Sequence, residues 1–293
     1  VAIKGGLDVL IHAQRVHAHM EPTHAFLSLD AANGFNQMSR VSIASGIKDD
    51  AQMGGMLPYF LAGHAERTPI YGHGLNDPIA YSTNGARQGC CLGSTYYCLG
   101  LQKLLVELRR RFPAVRVGAA TDDIGLQGAV PDLHDAYHWL QQHGPEYGYH
   151  LSQDDKCVLV PPSAGQYPDA DLALRFPNCR VAASARLLGA AVGTDLAAAR
   201  GFVQARAYHA NALCRPLRVL EDTRVQFLLL RYCSVSRARY IPRVTPYGHD
   251  VRLYAEQVDR EHQETLRWLL RSQDLPEAAI AQASLPPSRG GLG

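Results

Sequence analysis

Net charge is scarce in this chain. Its 29 basic residues face 27 acidic ones, leaving +2 over 293 residues. It is no polycation, so any nucleic-acid binding must come from charge gathered in one place. No uninterrupted run of about 18 apolar residues occurs, so no membrane span is expected. No secretory leader is expected from the residues at hand. The seven cysteines, at positions 90, 91, 98, 157, 179, 214 and 233, include no C-x-x-C pair, which argues against a zinc site or a redox dithiol. Their odd number fits a reducing, intracellular setting and small buried apolar roles. His12, His17 and His19 cluster near the start, but without cysteine partners they give no zinc site. Internal repeats and low-complexity tracts are also absent.

What is present begins with Ala120-Thr121-Asp122-Asp123-Ile124-Gly125, two adjacent carboxylates between short apolar runs. A strand, turn and strand would expose both at a hairpin tip. A third carboxylate, Asp30, closes the apolar run Ala25-Phe26-Leu27-Ser28-Leu29. Carboxylates at strand ends suit two-metal phosphoryl transfer, which needs oxygen ligands about 2.0–2.1 Å from each Mg2+ and ions roughly 3.5–4 Å apart. An Asp-Asp pair is also ordinary turn chemistry, so the neighbouring features carry weight.

Between the acidic strands lies Asn84-Gly85-Ala86-Arg87-Gln88-Gly89-Cys90-Cys91-Leu92-Gly93, followed by a long apolar-periodic segment. Tyr97, Leu101, Leu104, Leu105, Leu108 and Phe112 recur at spacings of three and four, the buried face of a helix ending in Arg109-Arg110-Arg111. A glycine-rich turn before a helix lets backbone approach a ligand, and Arg87 and Gln88 add donors. Farther on, Arg215, Arg218, Arg224, Arg231, Arg237, Arg239 and Arg243 crowd a stretch whose only acids are Glu221 and Asp222, with Tyr232 and Tyr240 interleaved. Such a stretch would track a phosphate backbone and lend stacking surfaces; it also reads as a solvated helix face.

In this order the features resemble reverse transcriptases, most closely the non-LTR retrotransposon type. Leu27-Ser28-Leu29-Asp30-Ala31-Ala32-Asn33-Gly34-Phe35-Asn36 is similar to the first palm motif, an Asp followed five positions later by an aromatic residue. Gly85-Ala86-Arg87-Gln88-Gly89 resembles the second motif, Thr121-Asp122-Asp123 the double-Asp motif, and Leu151-Ser152-Gln153-Asp154-Asp155-Lys156-Cys157 the lysine-bearing fourth. Arg186-Leu187-Leu188-Gly189 resembles the hairpin that grips the primer, and residues 285–293 look like the end of such thumb regions. Two departures stand out. Ala120 occupies a position where the family usually has an aromatic residue, and Cys90-Cys91 replaces a common Asp-Pro.

The resemblance implies roles. Asp30 and Asp122 would hold two Mg2+ ions, for which Mn2+ can substitute, with Asp123 the auxiliary acid of that metal site. Phe35 would lie under the incoming sugar and exclude a 2′-hydroxyl, although it also reads as a core aromatic. Arg87, Gln88 and Gly89 would line the nucleotide pocket. Lys156 would protonate departing pyrophosphate, or stand as a solvated loop lysine. Leu188, Gly189, Arg231, Arg237 and Arg239 would contact nucleic acid. Partners would be an RNA template, a DNA primer and deoxynucleotides, with action in the nucleus by analogy.

The expected fold class is α+β: a polymerase palm, an antiparallel sheet with packed helices at 25–193, followed by a helical thumb at 194–293. Residues 1–24 would be a remnant of the fingers, most of which would lie upstream in a longer polyprotein, as would any endonuclease. Lys4 would then supply one phosphate contact, against the default of a solvated terminal lysine. Strands are expected at 25–30, 115–121, 124–127 and 156–160, and helices at 92–111, 131–147, 195–214, 222–237 and 250–271. The Pro-, Ala-, Gly- and Ser-rich stretch 161–171 reads as a loop. Two other functions stay open: an inert descendant serving as an RNA or hybrid-binding scaffold, and an RNA-dependent RNA polymerase, which would want a small or polar residue in place of Phe35.

Overall fold

The computed structural model describes every residue except 1–4, 65, 75, 88, 155, 166, 194, 195, 247, 273 and 293, and the side chains of 196–199 and 249 lie outside the description as well. The sequence-derived roles of Lys4, Gln88 and Asp155 fall on undescribed positions. The chain divides into two compact units, Val1–Thr194 and Asp195–Gly293. Among the described residues, no helix is long and apolar enough to cross a membrane.

The first unit runs α1 (Gly6–Met20), β1 (Ala25–Leu29), α2 (Gly34–Gln37), α3 (Arg40–Asp49), α4 (Leu57–His64), β2 (Thr68–Tyr71), β3 (Pro78–Ser82) and α5 (Gly93–Arg111). It continues with β4 (Arg116–Ala120), β5 (Asp123–Gly128), α6 (Val130–His143), β6 (Cys157–Val160), α7 (Asp169–Arg175), β7 (Cys179–Val181), β8 (Ser184–Leu187) and β9 (Ala190–Gly193). The main sheet has the order β4-β5-β1-β6-β7. Its pairs are antiparallel except β6–β7, which is parallel, so the sheet is mixed rather than purely antiparallel.

Strand β1 is buried along its whole length, and its alternating side chains serve two cores. Ala25, Leu27 and Leu29 face the larger core, with Leu101, Leu104 and Leu108 of α5 and Leu133 and Leu140 of α6. Phe26 faces a smaller one, with Val158, Val160, Ala185, Leu187 and Val192. The β8–β9 hairpin thus covers the second face. It turns through Leu188 (φ 51°) and Gly189 (φ 77°), two left-handed residues that match the twist of a tight hairpin. The face of α5 marked by its periodicity is buried at Tyr97, Leu101, Leu104 and Leu108, and its three terminal arginines sit where the helix dipole favours positive charge.

Where the structure departs from sequence expectation, the reasons are local. Stretch 161–171 is not all loop, because α7 starts at Asp169 with Pro168 as its N-cap and Asp169 and Asp171 in its first turn, residues that favour a helix start. The helices and the β2–β3 hairpin between 34 and 82 carry little periodic signal. Arg40 secures the hairpin, donating to the carbonyls of Gly85, Glu66 and Ser82 and to Ser82 Oγ.

The second unit is helical: α8 (Leu196–Asn211), α9 (Cys214–Leu217), α10 (Thr223–Leu229), α11 (Val235–Ala238), α12 (Tyr240–Val244), α13 (His249–Leu269) and α14 (Glu277–Ala283). Between α10 and α11, Leu230–Ser234 is π-helical, so the helix expected at 222–237 is broken mid-way. Ser234, fully buried, explains the local geometry: its hydroxyl lies 3.3 Å from Ala210 O and 2.9 Å from His262 Nε2. A polar group in this core needs those partners. Around it pack Val203, Ala207, Tyr254 and Val258 and Cys214, Leu217, Leu230 and Leu269.

Helix α3 lies tight against α5 at Gly46, where an added Cβ would overlap the Leu99 carbonyl. Gly46→Ala should therefore destabilise the protein by about 1–3 kcal/mol through overpacking, against the roughly 1 kcal/mol that alanine normally adds in a helix. Urea unfolding of the two proteins measures the sign, and a gain in stability would contradict the packing.

Candidate active site

Strand pairing builds the acidic centre. The β1–β5 register ends at Leu29↔Ile124; one further step sets Asp30 level with Asp123. In the β4–β5 hairpin Ala120 pairs with Asp123, so Thr121 and Asp122 form the turn and Asp122 is exposed at the tip. Thr121 takes φ 54°, an uncomfortable value for a β-branched residue. Its hydroxyl lies 2.6 Å from Ala120 O and 2.9 Å from Asp122 Oδ1, and its single proton serves one acceptor at a time. Asp123 senses the other two carboxylates. Asp123 has its pKa raised first by burial, then by Asp122 and Asp30, while Arg186 on β8 pulls it down.

Asp30 is held by its backbone. Its N–H points to Cys157 Sγ at 3.4 Å, and its carbonyl accepts from Ser152 N–H at 2.9 Å. The segment resembling the fourth motif thus braces the acid from the neighbouring strand. Lys156, just before β6, is exposed, and its Nζ lies 3.9 Å from Asp154 Oδ2.

The glycine-rich turn meets the first motif directly. Ala86 N–H donates to Phe35 O at 2.9 Å and Gly85 N–H to Met38 O at 2.9 Å. Gly85 adopts φ 73°, and a Cβ there would overlap the Phe35 carbonyl, so only glycine fits both the conformation and the approach. The half-buried Phe35 ring stacks on Tyr97, centroids 4.6 Å apart and planes 14° from parallel. Tyr97 is fully buried, and burial, Asp122, Cys98 and Asp30 all push its phenol pKa up. The fully buried Tyr149 phenol is pushed up the same way, by burial and then by Tyr97, Cys157 and both acids.

The structure therefore brings together Asp30, Asp122, Asp123, Phe35 and the Gly85-Ala86 backbone. It turns Arg87 elsewhere: the guanidinium donates to Gly63 O and Thr68 Oγ1, joining the turn to α4 and β2 rather than facing the acids. Gly89 is exposed at φ 88°. Leu188 and Gly189 form the β8–β9 turn. Arg237 and Arg239 are exposed and Arg231 lies over the Tyr232 ring; all three belong to the second unit. Sequence reasoning missed the Tyr97 stack, the Cys157 brace and the Arg186 charge. In the sequence Tyr97 reads as a periodic core residue, and Cys157 as a small buried residue that ends the fourth motif.

Among the described residues, no group of three or more His, Cys, Asp or Glu side chains is placed to hold a metal by itself. The donor set still fits Mg2+, which is commonly bound through one or two carboxylates and completes its shell with water and substrate phosphates. Asp30 and Asp122 would be those carboxylates, and the mutual repulsion recorded at Asp123 is the repulsion a divalent cation would relieve.

This arrangement of mixed sheet, packed helices and following helical unit is a reverse-transcriptase-like fold, palm followed by thumb. No family model matches the chain, and no curated protein matches it. Among solved structures it is similar to telomerase from Candida albicans in complex with a fragment of telomeric RNA, with TM-score 0.53 at 12% identity over 94% of this chain and 45% of that one. It is also similar to apo telomerase from Candida tropicalis, with TM-score 0.52 at 11% identity over 94% of this chain and 48% of that one. The chain spans about half the length of these telomerases, and at such identity the likeness is one of fold.

The raised Asp123 pKa has a sign for stability. Between the ordinary aspartate value, about pH 4, and the raised value, the folded state binds more protons than the unfolded one, so stability falls as pH rises through that window. Asp123→Asn should unfold at higher urea than wild type at neutral pH in chelator, with the gap closing towards pH 4. A gap independent of pH would refute the repulsion.

Proposed function

We propose that the chain is the core of an RNA-templated DNA polymerase that extends a DNA primer from deoxynucleoside triphosphates. One observation carries this reading: strand register sets Asp30 level with Asp123 next to the Asp122 tip, and the buried Tyr97, which both Asp30 and Asp122 affect, links them to Phe35. In the reaction the primer 3′-oxygen forms a bond to the α-phosphorus, the bond from that phosphorus to the bridging oxygen breaks, and pyrophosphate leaves. Two Mg2+ ions, or Mn2+ in their place, would lower the cost of deprotonating the 3′-hydroxyl and neutralise triphosphate charge.

The chain's own residues do the rest. Asp30 and Asp122 hold the metal site, and the Cys157 and Ser152 contacts keep the Asp30 backbone in place. Phe35 lies under the sugar and leaves no room for a 2′-hydroxyl. Gly89, exposed on its turn, flanks the templating pair. Lys156 donates a proton to pyrophosphate, swinging from its exposed position. The exposed Arg237 and Arg239, with Arg231 and Tyr232, track the template–primer backbone and offer stacking. The affinity for the non-LTR retrotransposon type, and with it nuclear action, rests on the motif sequences.

A second reading, an inert RNA-binding scaffold, is favoured by the lack of a self-sufficient ligand cluster among the described residues and by Ala120 and Cys90-Cys91. Primer extension on an RNA template separates the two. Asp30→Ala and Asp122→Ala should each lower extension at least about 10³-fold, the loss of several kcal/mol of metal-borne stabilisation; wild-type rates in either variant would rule out the ligand assignment. Phe35→Val should raise ribonucleotide incorporation about tenfold or more, and unchanged sugar preference would remove Phe35 from that role.

A further inference from the structure

A ring that excludes a hydroxyl by sterics works only if it cannot retreat. Phe35 is half-buried, follows the left-handed Asn33 (φ 50°) on the four-residue helix α2, and has its carbonyl tied to Ala86 N–H. Those contacts fix its backbone and do not by themselves hold its side chain. Behind the ring stands Tyr97, stacked at 4.6 Å and 14°, fully buried on the long helix α5. Its hydroxyl has no hydrogen-bond partner among the described residues, so packing alone holds this ring. Gly34 closes the far end, since a Cβ there would sit 3.0 Å from the Tyr97 hydroxyl and 3.1 Å from Ala31 Cβ.

From this geometry we infer that Tyr97 is the positioning residue for sugar selection, a rigid backstop that sets how far Phe35 yields to a 2′-hydroxyl. The inference rests on the polymerase reading and deepens it. Tyr97 touches no substrate; it acts through Phe35. Because close-packed interiors resist displacement, the cost of moving Phe35 is the cost of moving Tyr97 and the core behind it. A smaller or non-planar side chain at 97 would leave a void into which Phe35 sinks, and a ribose would enter.

The measurement is the ratio of kcat/KM for a deoxynucleotide over its ribonucleotide, taken on one preparation so that the active fraction cancels. Tyr97→Phe should keep the ratio within about twofold of wild type and hold or raise the unfolding midpoint, because it deletes an unpaired buried hydroxyl while preserving the stack. Tyr97→Leu should lower the ratio about tenfold or more. Gly34→Ala, which crowds the Tyr97 hydroxyl, should also lower it, and Gly34→Ala combined with Tyr97→Phe should restore it. That pair decides the matter even where Tyr97→Leu fails to fold. If Phe35→Val lowers the ratio while Tyr97→Leu, or Gly34→Ala in its place, does not, the backstop is wrong and the polymerase reading survives. If wild type does not extend a primer at all, both fall together.

Discussion

Strand β1 bonds to β5 on one side and β6 on the other, and apolar side chains cover both of its faces. Everything proposed for the site hangs on this double pairing. A strand with no free edge and no free face cannot slip register, since a one-residue shift would send Phe26 into the wrong core and turn Leu27 away from it. Asp30 therefore emerges at a fixed height. The β4–β5 hairpin, bonded to the same strand, presents Asp122 and Asp123 at that height.

Holding like charges together costs stability, and the structure shows how that cost is borne. Asp123 is penalised by burial and by its two acidic neighbours, with Arg186 in partial opposition. Thr121 accepts a left-handed backbone to make the turn. Neither feature helps folding; both place carboxylates where a divalent cation would relieve them. Strain and repulsion of this kind persist only in a well-packed frame, and the sheet with α5 and α6 supplies one.

Much of this was legible in advance, for identifiable reasons. The β4–β5 hairpin and α5 announce themselves through local patterning, two apolar runs around Asp-Asp and a three-four repeat from Tyr97 to Leu108. The region from 34 to 82 does not, because Arg40 and Arg87 stabilise it through contacts with carbonyls and hydroxyls distant in sequence. Arg87 shows the limit sharply. Its place beside the glycine turn suggests a ligand contact, yet its guanidinium bridges to α4 and β2. The break in the helix at 230–234 was equally hidden, since it answers to Ser234 meeting Ala210 and His262.

By itself the sequence determined which residues are candidates for the chemistry and several of the elements that bear them: periodicity, turn chemistry and the order of short motifs are properties of neighbours along a chain. Tertiary structure alone decided which of these residues meet. It put Tyr97 behind Phe35, Cys157 beneath Asp30 and Arg186 within reach of Asp123, and it drew Arg87 away. The first three relations arise from strand register and helix packing between segments about 60 to more than 120 residues apart, and no local pattern encodes a contact whose partner is chosen by the filling of a shared core.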